Sequence, residues 1–244
     1  MDLHAGVIVV TGAASGLGAA TCTWLAAQGA TVFGIDKADD APGGAYASAD
    51  VCDEVALLAA LKEASAMGPL RAAVHCAGIV ASAKILGQEG PAPLEDFRRV
   101  VEVNLVGSFN LLRLASALMA DTPLRGEERG VVVLTSSIAA YEGQVGQAAY
   151  AAAKAGVAGL VLPAARELAR HAVRVVGIAP GIMDTPIMAR MPQTLRDGLA
   201  ANVPYPRRLG TGEEFARLAQ HAIENHYLNG EVIRLDGGLR MPPR

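Results

Sequence analysis

The chain has 244 residues, 52% hydrophobic and 18% charged, enough to bury a large core in one α/β domain. Its 21 Lys and Arg against 24 Asp and Glu leave a formal charge of −3, too small for the single-sign field that draws a protein to nucleic acid or to an anionic membrane. The three cysteines, Cys22, Cys52 and Cys76, form no CxxC pair, which disfavours a disulfide framework and a thiolate metal site and makes a reducing, cytoplasmic setting the simplest expectation.

The N-terminal run MDLHAGVIVVTG enters a strand within a few residues, so no signal or transit peptide is expected there. Strands are predicted at Val7–Thr11, Thr31–Asp36, Tyr46–Ala49, Ala72–Cys76, Val131–Ser136, Val173–Ala179 and Val232–Asp236, mostly apolar runs suited to burial on both faces. Helical patterns fall between them at Gly16–Gln28, Glu54–Met67, Leu94–Met119, Ala148–Arg170 and Gly212–Asn225. The alternation implies βαβ crossovers, hence a single-domain α/β Rossmann fold over residues 1–244: a doubly wound, parallel seven-stranded sheet with helices on both faces. The Pro-punctuated stretch Pro186–Leu209 has weak periodicity, and a substrate lid over about residues 183–209 is expected. Gly, Pro or charge interrupts each apolar run before the roughly 18 residues of a membrane span.

Gly12, Gly16 and Gly18 stand at the turn from the first strand into the first helix. There glycine lets the backbone approach a pyrophosphate, and the helix start favours negative charge. Ser15 and Leu17 lie on the same cradle. Asp36 ends the second strand about 20 residues on, where a carboxylate accepts hydrogen bonds from the adenosine ribose and repels a 2′-phosphate. NAD is therefore the expected cofactor, although Lys37 next door leaves NADP open.

Tyr150 and Lys154 are four apart on a predicted helix and share one face. A phenol near pKa ~10 is a poor base at neutral pH unless a neighbouring ammonium lowers it, the role expected of Lys154. Tyr150 then exchanges a proton with an alcohol whose carbon loses hydride, and Ser137 at the fifth strand end holds the oxygen. Ser136 is the alternative hydroxyl, but neighbours on a strand face opposite sides.

TGAASGLG, Asp36, Ala49–Asp50–Val51, His75–Cys76–Ala77–Gly78, Asn104, Ser137, Tyr150, Lys154 and Ala179–Pro180–Gly181 together resemble the motifs of the short-chain dehydrogenase/reductase family, in order and across the whole chain. The resemblance implies that Asp50 and Val51 flank the adenine and that Cys76, Ala77, Gly78, Pro180, Met183 and Thr185 line the cofactor. It also implies that Asn104 continues a water-mediated proton relay from Lys154. His75 stands where many members have Asn.

The runs LEDFRRVVEVNLVGSFNLLRLASALM, YEGQVGQAAYAAAKAG, NVPYPRRLG and LNGEVIRLDGGLRM are similar to the type 2 3-hydroxyacyl-CoA dehydrogenase (17β-hydroxysteroid dehydrogenase type 10) subgroup. They imply oxidation of a short (S)-3-hydroxyacyl-CoA, 2-methyl-branched ones included, with Gln144 as a substrate residue and a homotetramer paired through its long helices. The insert Ala81–Pro93 resembles a loop at the substrate entrance; Lys84 there is expected to be a solvated lysine, with contact to a CoA phosphate as the alternative. A hydroxysteroid dehydrogenase or an acyl-carrier-protein ketoreductase is the alternative within the class. A scaffold or RNA-processing subunit is the alternative outside it, and the intact Ser, Tyr and Lys argue against that. His4, His171, His221 and His226 show no metal-ligand spacing, so no metal is expected.

Overall fold

The computed structural model describes residues 1–39, 44–189 and 191–243. Seven strands form one sheet: β1 (Val7–Thr11), β2 (Thr31–Asp36), β3 (Ala45–Ser48), β4 (Leu70–His75), β5 (Gly130–Thr135), β6 (Val173–Pro180) and β7 (Val232–Leu235). Their order is β3-β2-β1-β4-β5-β6-β7, and every pairing is parallel. Alternation along β1 divides the core. Val7 and Val9 pack with Leu57, Leu61, Leu111, Met119, Val157 and Val161 on one face. Ile8 and Val10 pack with Cys22, Leu25, Phe215 and Ile223 on the other.

The first face is covered by α2 (Glu54–Ala66), α4 (Gly107–Ala120) and α5 (Ala148–Leu168), the second by α1 (Gly16–Ala27) and α8 (Gly212–Glu224). The strand order reverses between β1 and β4, so the connections after them part and leave a crevice at the carboxyl ends.

The predicted helix Leu94–Met119 is interrupted. It runs as α3 (Leu94–Val101), a π turn at Glu102–Val106, then α4. The π turn buries Asn104 completely. The helical stretches Leu94–Ala120 and Ala148–His171 are long and apolar enough to cross a membrane by length and composition, although charge or glycine interrupts their apolar runs; here they cover the sheet. Inside the expected lid the chain forms α6 (Pro186–Ala189) and α7 (Gln193–Ala201), which the proline-broken pattern hid; position 190 lies outside the described residues. The insert carries a short antiparallel pair, Leu86–Gly87 with Gly90–Pro91. The His226 Nδ1 lies 2.8 Å from the buried Glu128 carboxylate, which also pairs with Arg174.

At the end of β4, His75 is fully buried with Nδ1 2.8 Å from Thr11 Oγ1. The Cys76 and Ala77 N–H groups both donate to that same Thr11 oxygen, so the Thr11 hydrogen points to Nδ1 and the ring proton belongs on Nε2. Nε2 has no partner among the described residues. Burial, helped by the Lys154 charge, pushes the His75 pKa down to about 3 from 6.5.

The imidazole therefore stays neutral in the folded protein while the unfolded chain takes up its proton below 6.5, so stability is full above that pH and is lost as pH falls from 6.5 towards 3. His75→Asn should flatten this loss: the drop in Tm between neutral and mildly acidic pH should shrink, and an unchanged drop would contradict the assignment. A Cβ on Gly18 would stand 2.0 Å from the Gly12 carbonyl oxygen. Gly18→Ala should thus force α1 off β1 and cost about 1–3 kcal/mol in denaturant unfolding; parental stability would show that the helix has room to move.

Candidate active site

Where the first strand turns into the first helix, Gly12 and Gly16 adopt φ of 69° and 54°, the left-handed region that glycine enters freely. A Cβ on Gly12 would meet the Ala77 N–H at 2.7 Å, so the β1 turn and the β4 turn press together backbone to backbone. Ser15 precedes α1 without capping it, and the first turn carries no acidic residue, so the N–H groups and the positive end of the dipole face the crevice. Gly18 takes no part in the lining; it is the packing glycine against Gly12.

The crevice encloses about 740 Å³. Its walls include every cofactor residue expected from the sequence apart from Gly18: Gly12, Ser15, Gly16, Leu17, Asp36, Asp50, Val51, Cys76, Ala77, Gly78, Tyr150, Lys154, Pro180, Met183 and Thr185. Asp36 is fixed by its neighbours, its Oδ2 accepting from the Ala14 N–H (3.0 Å) and its Oδ1 from the Lys37 N–H (2.7 Å). The Lys37 ammonium turns away to Asp50 Oδ2 at 2.9 Å. Burial pulls the Asp50 carboxyl up, yet Lys37 and the Cys52 N–H outweigh it and hold it below its ordinary value. The unshielded helix start, the side-chain-free approach at the glycines and the rim carboxylate fit a dinucleotide.

At the floor, Ser137 begins a short 3-10 turn, Ile138–Ala140, and its hydroxyl accepts from the Ala139 N–H at 3.1 Å. Ser137 and Tyr150 line the same crevice, and the serine hydroxyl is near enough to favour the ionised phenol. The Ser136 hydroxyl is taken up by the Lys154 carbonyl at 2.8 Å, leaving Ser137 as the serine beside Tyr150. The Lys154 ammonium is buried and donates to the Thr135 carbonyl at 2.9 Å.

One expectation changes here. Burial raises the Tyr150 phenol above 10.0, with the Ser137 hydrogen bond opposing part of the rise. The Lys154 cation, 5.8 Å from the ring centre, directs its ammonium to the Thr135 carbonyl and does not offset the rise. Burial also brings Lys154 itself down to about 8.

Asn104 sits beside the floor, its Oδ1 accepting from the Ile79 N–H (3.1 Å) and its Nδ2 donating to the Ile79 and Val100 carbonyls. Gln144 lies off this crevice because its amide is held by the Pro242 carbonyl (3.0 Å) and by Gln147; the glutamine on the wall is Gln147. Gln144 and Lys84 line a smaller depression alongside. Sequence reasoning missed Ile79, Arg99, Gln147, Ile182 and Met241 on the main wall. For Gln147 a signal existed, since it lies three residues before Tyr150 on the turn entering α5.

A family model described as short chain dehydrogenase matches residues 6–196. The 3-hydroxyacyl-CoA dehydrogenase type-2 of Bos taurus is 46% identical over 250 residues, covering 97% of this chain and 96% of the relative. The (3R)-3-hydroxyacyl-CoA dehydrogenase of Mus musculus is 33% identical over 264 residues, covering 99% and 98%. The crystal structure of 3-hydroxyacyl-CoA dehydrogenase type-2 from Mycobacterium avium superposes with a TM-score of 0.92 at 43% identity, covering 99% of this chain and 98% of that one. Since the family model takes in both the glycine turn and the hydroxyl pair at the floor, and the likeness extends through both chains, this protein belongs to the short-chain dehydrogenase family and is an oxidoreductase acting on CH–OH groups.

Proposed function

We propose that this chain oxidises a short (S)-3-hydroxyacyl-CoA, 2-methyl-branched ones included, to the 3-ketoacyl-CoA, reversibly and with NAD. The observation that carries the reading is that Ser137, Tyr150 and Lys154 line one crevice whose outer wall is aliphatic and thioether, with Ile138, Ile182, Met188 and Met191 facing in. The names and 46% identity of the type-2 relatives support the thioester substrate.

A nicotinamide bound in the crevice supplies the hydride acceptor. Ser137 holds the substrate oxygen by a hydrogen bond, and Tyr150 Oη takes the alcohol proton in oxidation and returns it in reduction. Lys154 ties α5 to the end of β5 and so fixes where Oη points. A proton path onward to Asn104 draws support from their approach across Gly78, where a Cβ would stand 2.6 Å from Asn104 Oδ1 and 3.5 Å from Lys154 Nζ. NAD rather than NADP draws support from the fixed Asp36 carboxylate and from Lys37 being engaged by Asp50. The segment 183–209, which brings Met183, Thr185 and Met188 to the wall, is read as the substrate lid. The outward face of α3 to α5 leaves Phe97, Val106, Phe109 and Leu162 exposed, an apolar patch read as the contact of a homotetramer.

With acetoacetyl-CoA, NADH should exceed NADPH in kcat/KM by about a hundredfold, because a 2′-phosphate would meet the Asp36 carboxylate. An NADPH preference would overturn the cofactor assignment. Across a panel of (S)- and (R)-3-hydroxyacyl-CoA thioesters and hydroxysteroids, the short (S)-thioesters should give the highest kcat/KM; a steroid in that place would make the acyl reading untenable. Because burial keeps the Tyr150 proton in place at neutral pH, oxidation should quicken as pH rises towards 10.0 while reduction does not; matching profiles in both directions would remove Tyr150 from the proton step.

A further inference from the structure

We propose that residues Arg240–Pro243 form a fixed wall of the substrate pocket and that Met241 sets how long an acyl chain the pocket accepts; the identity of that chain rests on the thioester reading above. Met241 lines the main crevice and packs with Ile138, Ile182, Val203 and Leu239, an apolar cluster separate from the two sheet cores. Ile138 adjoins Ser137, so this cluster stands on the hydroxyl side of the crevice, away from the glycine turn.

The tail is held there bond by bond. The Met241 N–H donates to Glu142 Oε2 at 3.2 Å, Gln144 Nε2 donates to the Pro242 carbonyl at 3.0 Å, and the Val145 N–H donates to the Pro243 carbonyl at 3.0 Å. Glu142 is itself gripped by both terminal nitrogens of Arg234 at 2.9 and 3.1 Å and by Arg240 Nε at 3.3 Å, while Arg234 and Arg240 both reach Asp236. Residues 142–145 lie on the loop that leads into α5, five to eight positions before Tyr150. The tail is therefore referenced to the reacting hydroxyls through a charged, hydrogen-bonded frame, and its inward side chain meets whatever apolar group extends from the carbinol carbon.

An unbranched thioether fills such a space while leaving its end adjustable. Removing it lengthens the pocket by roughly its own volume, and a longer acyl chain then gains apolar contact that a short one cannot reach.

The test is reduction of acetoacetyl-CoA and 3-oxooctanoyl-CoA, and of ethyl acetoacetate and ethyl 3-oxooctanoate, by the parent and by Met241→Ala, Met241→Phe and Met241→Leu. Calorimetric binding of the two ethyl esters is measured alongside. Met241→Ala should raise the long-to-short ratio by about tenfold and Met241→Phe should lower it. Met241→Leu, similar in size, should hold the parental ratio, and NADH affinity should be the same in all. Ratios within about twofold of the parent for both Ala and Phe, in turnover and in binding, would overturn the proposal. Should the parent reduce the ethyl esters but not the thioesters, the thioester reading fails, while the ester series still decides the part played by Met241. Should it turn over neither, the calorimetric ratio decides it.

Discussion

The working parts of the crevice depend on a reciprocal clamp between one strand end and one helix. Lys154 sends its ammonium to the Thr135 carbonyl, and Ser136 sends its hydroxyl to the Lys154 carbonyl, at 2.9 and 2.8 Å. These buried bonds join the end of β5 to the first turns of α5. Alternation then turns Ser137 to the side opposite Ser136, and the helical repeat brings Tyr150, one turn before Lys154, over it. Neither hydroxyl could be placed by its own backbone alone. A buried ammonium is costly unless its hydrogens are used, and the bond to Thr135 uses one while anchoring the fold at the point where chemistry occurs.

The electrostatics of the crevice follow from the same burial. Phenol and ammonium are both moved towards neutrality, Tyr150 upward and Lys154 down to about 8. The floor is thus nearly neutral beneath a rim that carries fixed charge, with Asp36 held by backbone N–H groups and Asp50 by Lys37. In the function proposed above, the charged, hydrated ligand is recognised at the rim and the proton moves at the less polar floor. Asn104 links the two levels by gripping Ile79, in the same loop as Gly78, from a π turn that a regular helix would not provide.

The sheet was legible because its signals are local: β-branched runs of strand length between helical repeats, and glycines at the one turn where the backbone must pass close to another backbone. The strand limits match within two residues for that reason. The glycine turn, Asp36, Ser137 and the Tyr150 and Lys154 pair were legible on the same footing, each being set by its place on an element. What could not be read came from long-range contact or from burial. Met241 reaches the wall through contacts made about a hundred positions away in sequence, among them Glu142, 99 positions earlier, which holds its N–H. Gln144 and Gln147 differ in role only because the tail occupies the amide of the first. The upward shift of Tyr150 is a consequence of how much surrounds it and where the Lys154 charge is directed, neither of which spacing reveals. The π turn at Glu102–Val106 has no periodicity signal either, since a single wide turn leaves the apolar repeat on both sides nearly intact.

The central claim is that the phenolic oxygen of Tyr150 moves the proton, while the clamp formed by Lys154 and Ser136 places it. The most direct measurement is turnover of Tyr150→Phe alongside its affinity for NADH by fluorescence titration. The account predicts a loss of kcat of about 100- to 10,000-fold with nearly unchanged NADH affinity, because only one oxygen is removed from an otherwise intact wall. A variant that keeps a substantial fraction of parental kcat would contradict it.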